Sequence, residues 1–177
     1  MKTKLTMIAA SVLVLGACET AEKYNPFKPS AKAQANLAST KGNTATGTVQ
    51  FAQSGETVKV SGKIINLTPG KHGFHVHEKG DCGSGDGMSA GGHFNPDNAP
   101  HGGPDSAQRH GGDLGNITAD ENGVASFSIE TSGITVEPGP NSIIGKGVIV
   151  HKDPDDLKSQ PAGNAGPRVA CGVIAAS

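Results

Sequence analysis

Between Thr44 and Leu67 the chain alternates apolar and polar positions: TATGTVQFAQ, then ETVKVSGKIINL. A period of two belongs to half-buried antiparallel strands, and Ser54-Gly55 between the two runs marks a hairpin. NITAD and VASFSIE repeat the pattern around Glu121-Asn122-Gly123, which predicts a second hairpin with Asn-Gly in a type I′ turn. IIGKGVIVH and RVACGVIAA predict later strands. In GFHVHEKGDC, residues 73–82, a strand would project His75 and His77 to one face and Phe74 and Val76 to the other. Short strands and turns throughout predict an all-β sandwich or barrel.

Two regions lack this alternation. Residues 78–112 are rich in Gly, Pro, Asp and His, and so long a loop inside a compact domain usually serves function. Residues 19–41, ETAEKYNPFKPSAKAQANLASTK, are polar and Ala-rich and read as a flexible tether, with room for a short helix within Ala31–Ser39. The domain is therefore expected over 44–177, behind a tether over 18–43.

The first 17 residues carry Lys2 and Lys4, an apolar run and Leu15-Gly16-Ala17, followed by Cys18: a lipoprotein-type signal peptide. Acyl chains on Cys18 would anchor the protein in a membrane, since two or more chains hold stably. Glu19, in place of the Asp that retains such proteins at the inner membrane, favours the outer one. The expected location is the periplasmic side of the cell envelope. If Cys18 is lipidated, Cys82 and Cys171 remain as candidates for one disulfide in an exported protein.

Composition sharpens the class. The 177 residues include 26 Gly and 11 Pro but no Trp, and the net charge is −1. The Gly and Pro fit a turn-rich β protein, and the near-neutral balance excludes a nucleic-acid partner. The seven histidines decide the chemistry. Besides His72, His75 and His77, the loop GGHFNPDNAPHGGPDSAQRHGGDLGN brings His93, His101 and His110, with Asp113 three residues on, and His151 ends a strand. Imidazoles with one carboxylate are the donors that copper and zinc take.

In order along the chain, GFHVHEKGDC, SAGGHFNP, HGGP, RHGGDLGN, VHKDPDDL and GNAGPRVACGVI resemble the copper,zinc superoxide dismutases, and the resemblance spans 44–177. It implies a flattened eight-stranded Greek-key β-barrel with long metal-binding loops. It implies disproportionation of superoxide to dioxygen and hydrogen peroxide by a redox-cycling copper. Copper would be held by His75, His77, His93 and His151, and zinc by His93, His101, His110 and Asp113, with His93 bridging the two and relaying protons. Asp155 would accept hydrogen bonds from His75 and His101. His72 would be structural. Arg168 would attract and orient the anion, and Cys82–Cys171 would pin the long loop to the last strand.

Two features depart from the cytosolic eukaryotic members of the family, and the second, the Cys82 spacing, is similar to bacterial exported ones. The loop Leu157–Gly163, LKSQPAG, is short, which leaves steering to Arg168 and to lysines such as Lys79, Lys152 or Lys158. Cys82 follows His77 by only five residues, which leaves homodimer and monomer both open. A metal-buffering module on the same fold is the competing class. A TIM-barrel amidohydrolase needs about 250 residues, and a cupin expects its glutamate several residues beyond His-x-His, whereas Glu78 follows His77 directly.

Overall fold

A computed structural model describes residues 31–177. The signal peptide expected over 1–17 and Cys18 lie outside the described residues. The strands are β1 (Lys32–Ser39), β2 (Thr46–Ser54), β3 (Thr57–Ile65), β4 (Gly70–His77), β5 (Asp113–Ala119), β6 (Ala125–Thr131), β7 (Gly147–His151), β8 (Arg168–Val173) and the two-residue β9 (Ala175–Ala176). One 3-10 turn, Met88–Ala90, lies in the long loop. The strands run β5-β4-β7-β8-β1-β2-β3-β6, all antiparallel, with β9 added to β1. This is an all-β, nearly closed eight-stranded barrel of the Greek-key kind: β4 pairs with β7 and β3 with β6, each across an intervening pair.

The core is built from the inward members of the alternating strands. Val49 and Phe51 of β2, Val58, Val60 and Ile64 of β3, Phe74 and Val76 of β4, and Val148 and Val150 of β7 are all buried in one cluster. Phe74 meets Phe127 edge-on, with ring centroids 5.0 Å apart. Full burial of a Val, Ile or Phe side chain stabilises by about 1.5–3 kcal/mol. That burial fixes the register, because a slip by one residue would exchange Phe74 and Val76 with the histidines beside them.

Two expectations need correction. The tether does not run to residue 43: Lys32–Ser39 is a strand at the centre of the sheet, between β2 and β8. Its buried face is Ala33, Ala35 and Leu37. The alternation is there in KAQANLAS, but two of its three apolar members are alanine, which is depleted in strands and reads as linker. The Asn-Gly hairpin is also absent as such. β5 pairs with β4 and β6 with β3, so the turn 120–124 lies where the barrel is not closed. Gly123 alone of the pair takes a left-handed φ, 72°. The Asp120 carboxylate shapes the turn instead, accepting from the Asn122 and Val124 N–H groups at 2.9 Å each. The Ser54-Gly55 hairpin forms as read, with Ser54 paired to Thr57 and Gly55 at φ 59°.

The correction at β1 generates a test. A chain beginning at Ala31 should give one cooperative urea transition by circular dichroism. A chain beginning at Thr44 loses the central strand and should show none. Equal cooperativity would mean that β1 does not belong to the folding unit.

Candidate metal centre

Two strands and two loops converge on one side of β4. His75 and His77 lie on its outer face, opposite the core residues Phe74 and Val76. His151 ends β7, and Asp113 begins β5. A register shift between Gly73 and His75 sets His75 against Asp113, and a second between Val150 and His151 sets His151 against Arg168. Bulges re-aim side chains where a sheet must serve a site. The long loop is sewn back onto β4: the Val76 N–H donates to the Gly112 carbonyl, the Phe94 N–H to the Val76 carbonyl, the Gly112 N–H to the Phe94 carbonyl and the Glu78 N–H to the Gly92 carbonyl. Gly112 approaches the Val76 carbonyl too closely for any Cβ. That approach carries His93, His101 and His110 to the strand.

The structure brings together two groups of potential ligands, each with its donor atoms within 4.8 Å of one another: His75, His77, His93 and His151, and His93, His101, His110 and Asp113. All are buried. His93 belongs to both. Each ring is held by one nitrogen. His75 Nε2 meets Asp155 Oδ2 at 2.7 Å, His77 Nδ1 the Gly91 carbonyl at 2.9 Å, and His151 Nδ1 the Gly166 carbonyl at 3.0 Å. His93 Nδ1 and His110 Nδ1 lie 2.7 and 3.1 Å from Asp113 Oδ1. His101 Nε2 meets Asp155 Oδ1 at 3.0 Å. The opposite nitrogens of five rings, His75 Nδ1, His77 Nε2, His93 Nε2, His101 Nδ1 and His151 Nε2, are buried without a hydrogen-bond partner. His101 Nδ1 lies 3.1 Å from Asp113 Oδ1 but is out of line for a hydrogen bond.

Around these rings stand groups that sequence reading did not single out. Asn116 grips the Asp155 backbone at both ends, accepting from its N–H at 2.8 Å and donating to its carbonyl at 2.9 Å. The Gly91 and Gly166 carbonyls orient two rings, and main-chain acceptors leave no trace in residue type. His72 stands apart: its Nδ1 and Nε2 face the His151 and Thr68 carbonyls at 2.8 Å each. Arg168 is held by the Gly87 and Gly91 carbonyls, both at 2.6 Å. Cys82 and Cys171 form a disulfide with a Cα separation of 5.8 Å, over a small apolar patch of Ala90 and Ile149. Closing a loop of 89 residues restricts the unfolded chain by roughly 4–5 kcal/mol. Of the surface lysines, Lys41 lines the same cavity as Arg168 and Asp86, while Lys152 lines a separate one.

Charge follows burial. Burial lowers the His75 and His151 imidazoles to about 4 and about 3, and it lowers His77 and His110 as well. These rings are neutral at neutral pH, the form that binds metal. For Asp113, burial works upward but is outweighed by His101 and His93; for Asp155, by His101 and His75. Both carboxyls are held well below the usual range. At His101, burial works downward but Asp113 and Asp155 outweigh it and raise the ring to about 9.

The family model described as copper/zinc superoxide dismutase matches residues 45–174. The chain is 52% identical over 135 residues to Cu-Zn superoxide dismutase 2 of Brassica juncea, covering 72% of this chain and 88% of that one. It is also similar to the crystal structure of the clock protein EA4, at 42% identity and a TM-score of 0.76, over 86% of this chain and 98% of that one.

The metal-free protein should show the ligands' proton balance in its stability. Rings with lowered values contribute stability that is whole above about 6.5 and lost as the pH falls toward 4 and 3. His101 works oppositely: its contribution is whole below about 6.5 and lost as the pH rises to about 9. Calorimetry should therefore place the highest melting temperature near neutrality, with a fall on either side. A melting temperature constant from pH 7 to 4 would contradict this balance.

Proposed function

Because the chain belongs to the copper/zinc superoxide dismutase family, and so converts two superoxide anions and two protons to dioxygen and hydrogen peroxide with copper and zinc as cofactors, we propose that its two ligand groups divide these metals between them and that the enzyme protects the cell envelope. The observation that carries the division is the set of five buried ring nitrogens without partners. Four of them belong to His75, His77, His93 and His151, an all-imidazole set suited to copper. His101 supplies the fifth and, with His93, His110 and the Asp113 carboxylate, makes a three-imidazole, one-carboxylate set suited to zinc.

Bound copper supplies one-electron redox chemistry, and bound zinc a fixed positive charge beside it. The protein supplies geometry and protons. His93 turns Nε2 toward one group and Nδ1 toward the other, so Nε2 is the atom able to take up a proton and give it back while Nδ1 stays engaged. Asp155 spans His75 and His101 with its two oxygens, fixing both rings and their tautomers. Arg168 offers five N–H donors, of which two are spent on the Gly87 and Gly91 carbonyls. Those two bonds aim the fork, and the remaining donors are free for an oxygen anion. Arginine keeps its charge there although burial lowers its pKa, an effect that Asp86 opposes.

The envelope reading rests on the sequence of residues 1–19. A lipid on Cys18 would hold the enzyme on the periplasmic side, of the outer membrane given Glu19, where superoxide arriving from outside is met before it reaches the cell interior.

Five outcomes are expected. His110→Ala should lose zinc and keep copper, and His77→Ala the reverse, by elemental analysis of purified protein; parallel loss in both would refute the division. Arg168→Ile should retain both metals but lower kcat/KM for superoxide about tenfold and flatten its dependence on ionic strength, read by pulse radiolysis. Cys18→Ser should move the enzyme from the membrane to the soluble periplasmic fraction, and a deletion strain should be more sensitive to extracellular superoxide; an unaffected strain would remove the protective role.

A further inference from the structure

The short loop Leu157–Gly163 has no part in the centre as described above, yet it touches one ligand from two directions. We propose that Gln160 is a positioning residue for zinc, acting as a clip on the main chain of His101. The His101 N–H donates to Gln160 Oε1 at 2.8 Å, and Gln160 Nε2 donates to the His101 carbonyl at 2.9 Å. One side-chain amide thus satisfies both main-chain groups of a single residue, as a neighbouring strand would. His101 needs such a partner, because residues 95–109 contain no strand. Its ring must nevertheless keep Nε2 on Asp155 and Nδ1 turned toward Asp113.

The clip is itself braced. The Asp156 carboxylate accepts from the Lys158 and Ser159 N–H groups at 3.1 and 2.8 Å, and Asn164 donates to its other oxygen at 3.1 Å. The Leu157 N–H donates to Asp155 Oδ1 at 2.7 Å, the same oxygen that meets the His101 ring. At the far end of the loop, Gly163 has a left-handed φ of 65°, and a Cβ there would run into Asp155 Oδ1. The loop therefore approaches Asp155 and the His101 ring closely at Gly163 and holds the His101 main chain at Gln160. Removing the amide frees the backbone that carries a ligand without touching any ligand atom, and groups one step behind a metal ligand typically govern affinity by about 10–100-fold.

This inference rests on the assignment of His101 to zinc, and the test separates the two. Fully metallated wild type, Gln160→Ala, Gln160→Glu and His110→Ala are compared for zinc release to excess 4-(2-pyridylazo)resorcinol, for copper release to a copper chelator, and for the melting temperature of the metal-free form. Gln160→Ala should release zinc about tenfold faster, with copper release and metal-free melting unchanged. Gln160→Glu should fall between, since it keeps the acceptor for the His101 N–H and loses the donor to the carbonyl; it also serves if the alanine variant does not fold. Cobalt(II) placed in the zinc position should show an altered visible spectrum in both variants. Zinc release at the wild-type rate, or zinc and copper release rising together with a lower metal-free melting temperature, would overturn the role of Gln160. If His110→Ala loses zinc while Gln160→Ala releases it at the wild-type rate, only the clip falls. If His110→Ala keeps its zinc, the zinc assignment falls and the clip with it.

Discussion

Five buried imidazole nitrogens in two ligand groups have no hydrogen-bond partner, and the barrel and its loops hold the rings in that arrangement. Leaving a buried polar atom unsatisfied costs about 1–3 kcal/mol, and a chain free to relax would turn these rings outward or collapse them onto carbonyls. The barrel prevents this by holding each ring through its other nitrogen. Phe74 and Val76 lock β4 into the core, which leaves His75 and His77 no face but the outer one. The two bulges adjust where these strands aim, and the loop sewn along β4 brings the remaining rings to meet them. Stability is thus concentrated in the apolar interior, and a metal bound by either buried ligand group would relieve the frustration beside it.

The two halves of the centre are mechanically joined through single residues. Asp155 holds a ring from each ligand group, and His93 belongs to both. The Gly91 carbonyl accepts from His77 Nδ1 and from Arg168 Nη2, so a ring of the all-imidazole group and the arginine share one acceptor. The disulfide closes the same circuit from behind, fixing the start of the long loop to the strand that carries Arg168.

The strands with large apolar members were legible from period-two alternation, and the residues of both potential ligand groups lie within the motifs that carry the family resemblance. β1 was not, because Ala33 and Ala35 carry too little apolar signal to distinguish a central strand from a tether. The pairing of β5 and β6 was misread for another reason: Asn122-Gly123 advertises a local hairpin, but both strands find better partners in β4 and β3. Around the ligands, Asn116 and Gln160 escaped notice because each acts on main-chain atoms, and such partners have no characteristic spacing. What sequence conveys well is chemistry that must recur at fixed intervals; what it conceals is support that any suitably placed amide could give.

The direction of β1 has a spatial consequence. Its last residues run beside the start of β8, where the Thr40 hydroxyl donates to the Arg168 carbonyl. Its first residues pair with the chain's other end, Ala33 with Ala176, and the Ser177 N–H donates to the Lys32 carbonyl. Eight extended residues span about 25 Å. Residue 31, where the described chain begins, therefore lies at the end of the barrel a full strand length from Arg168.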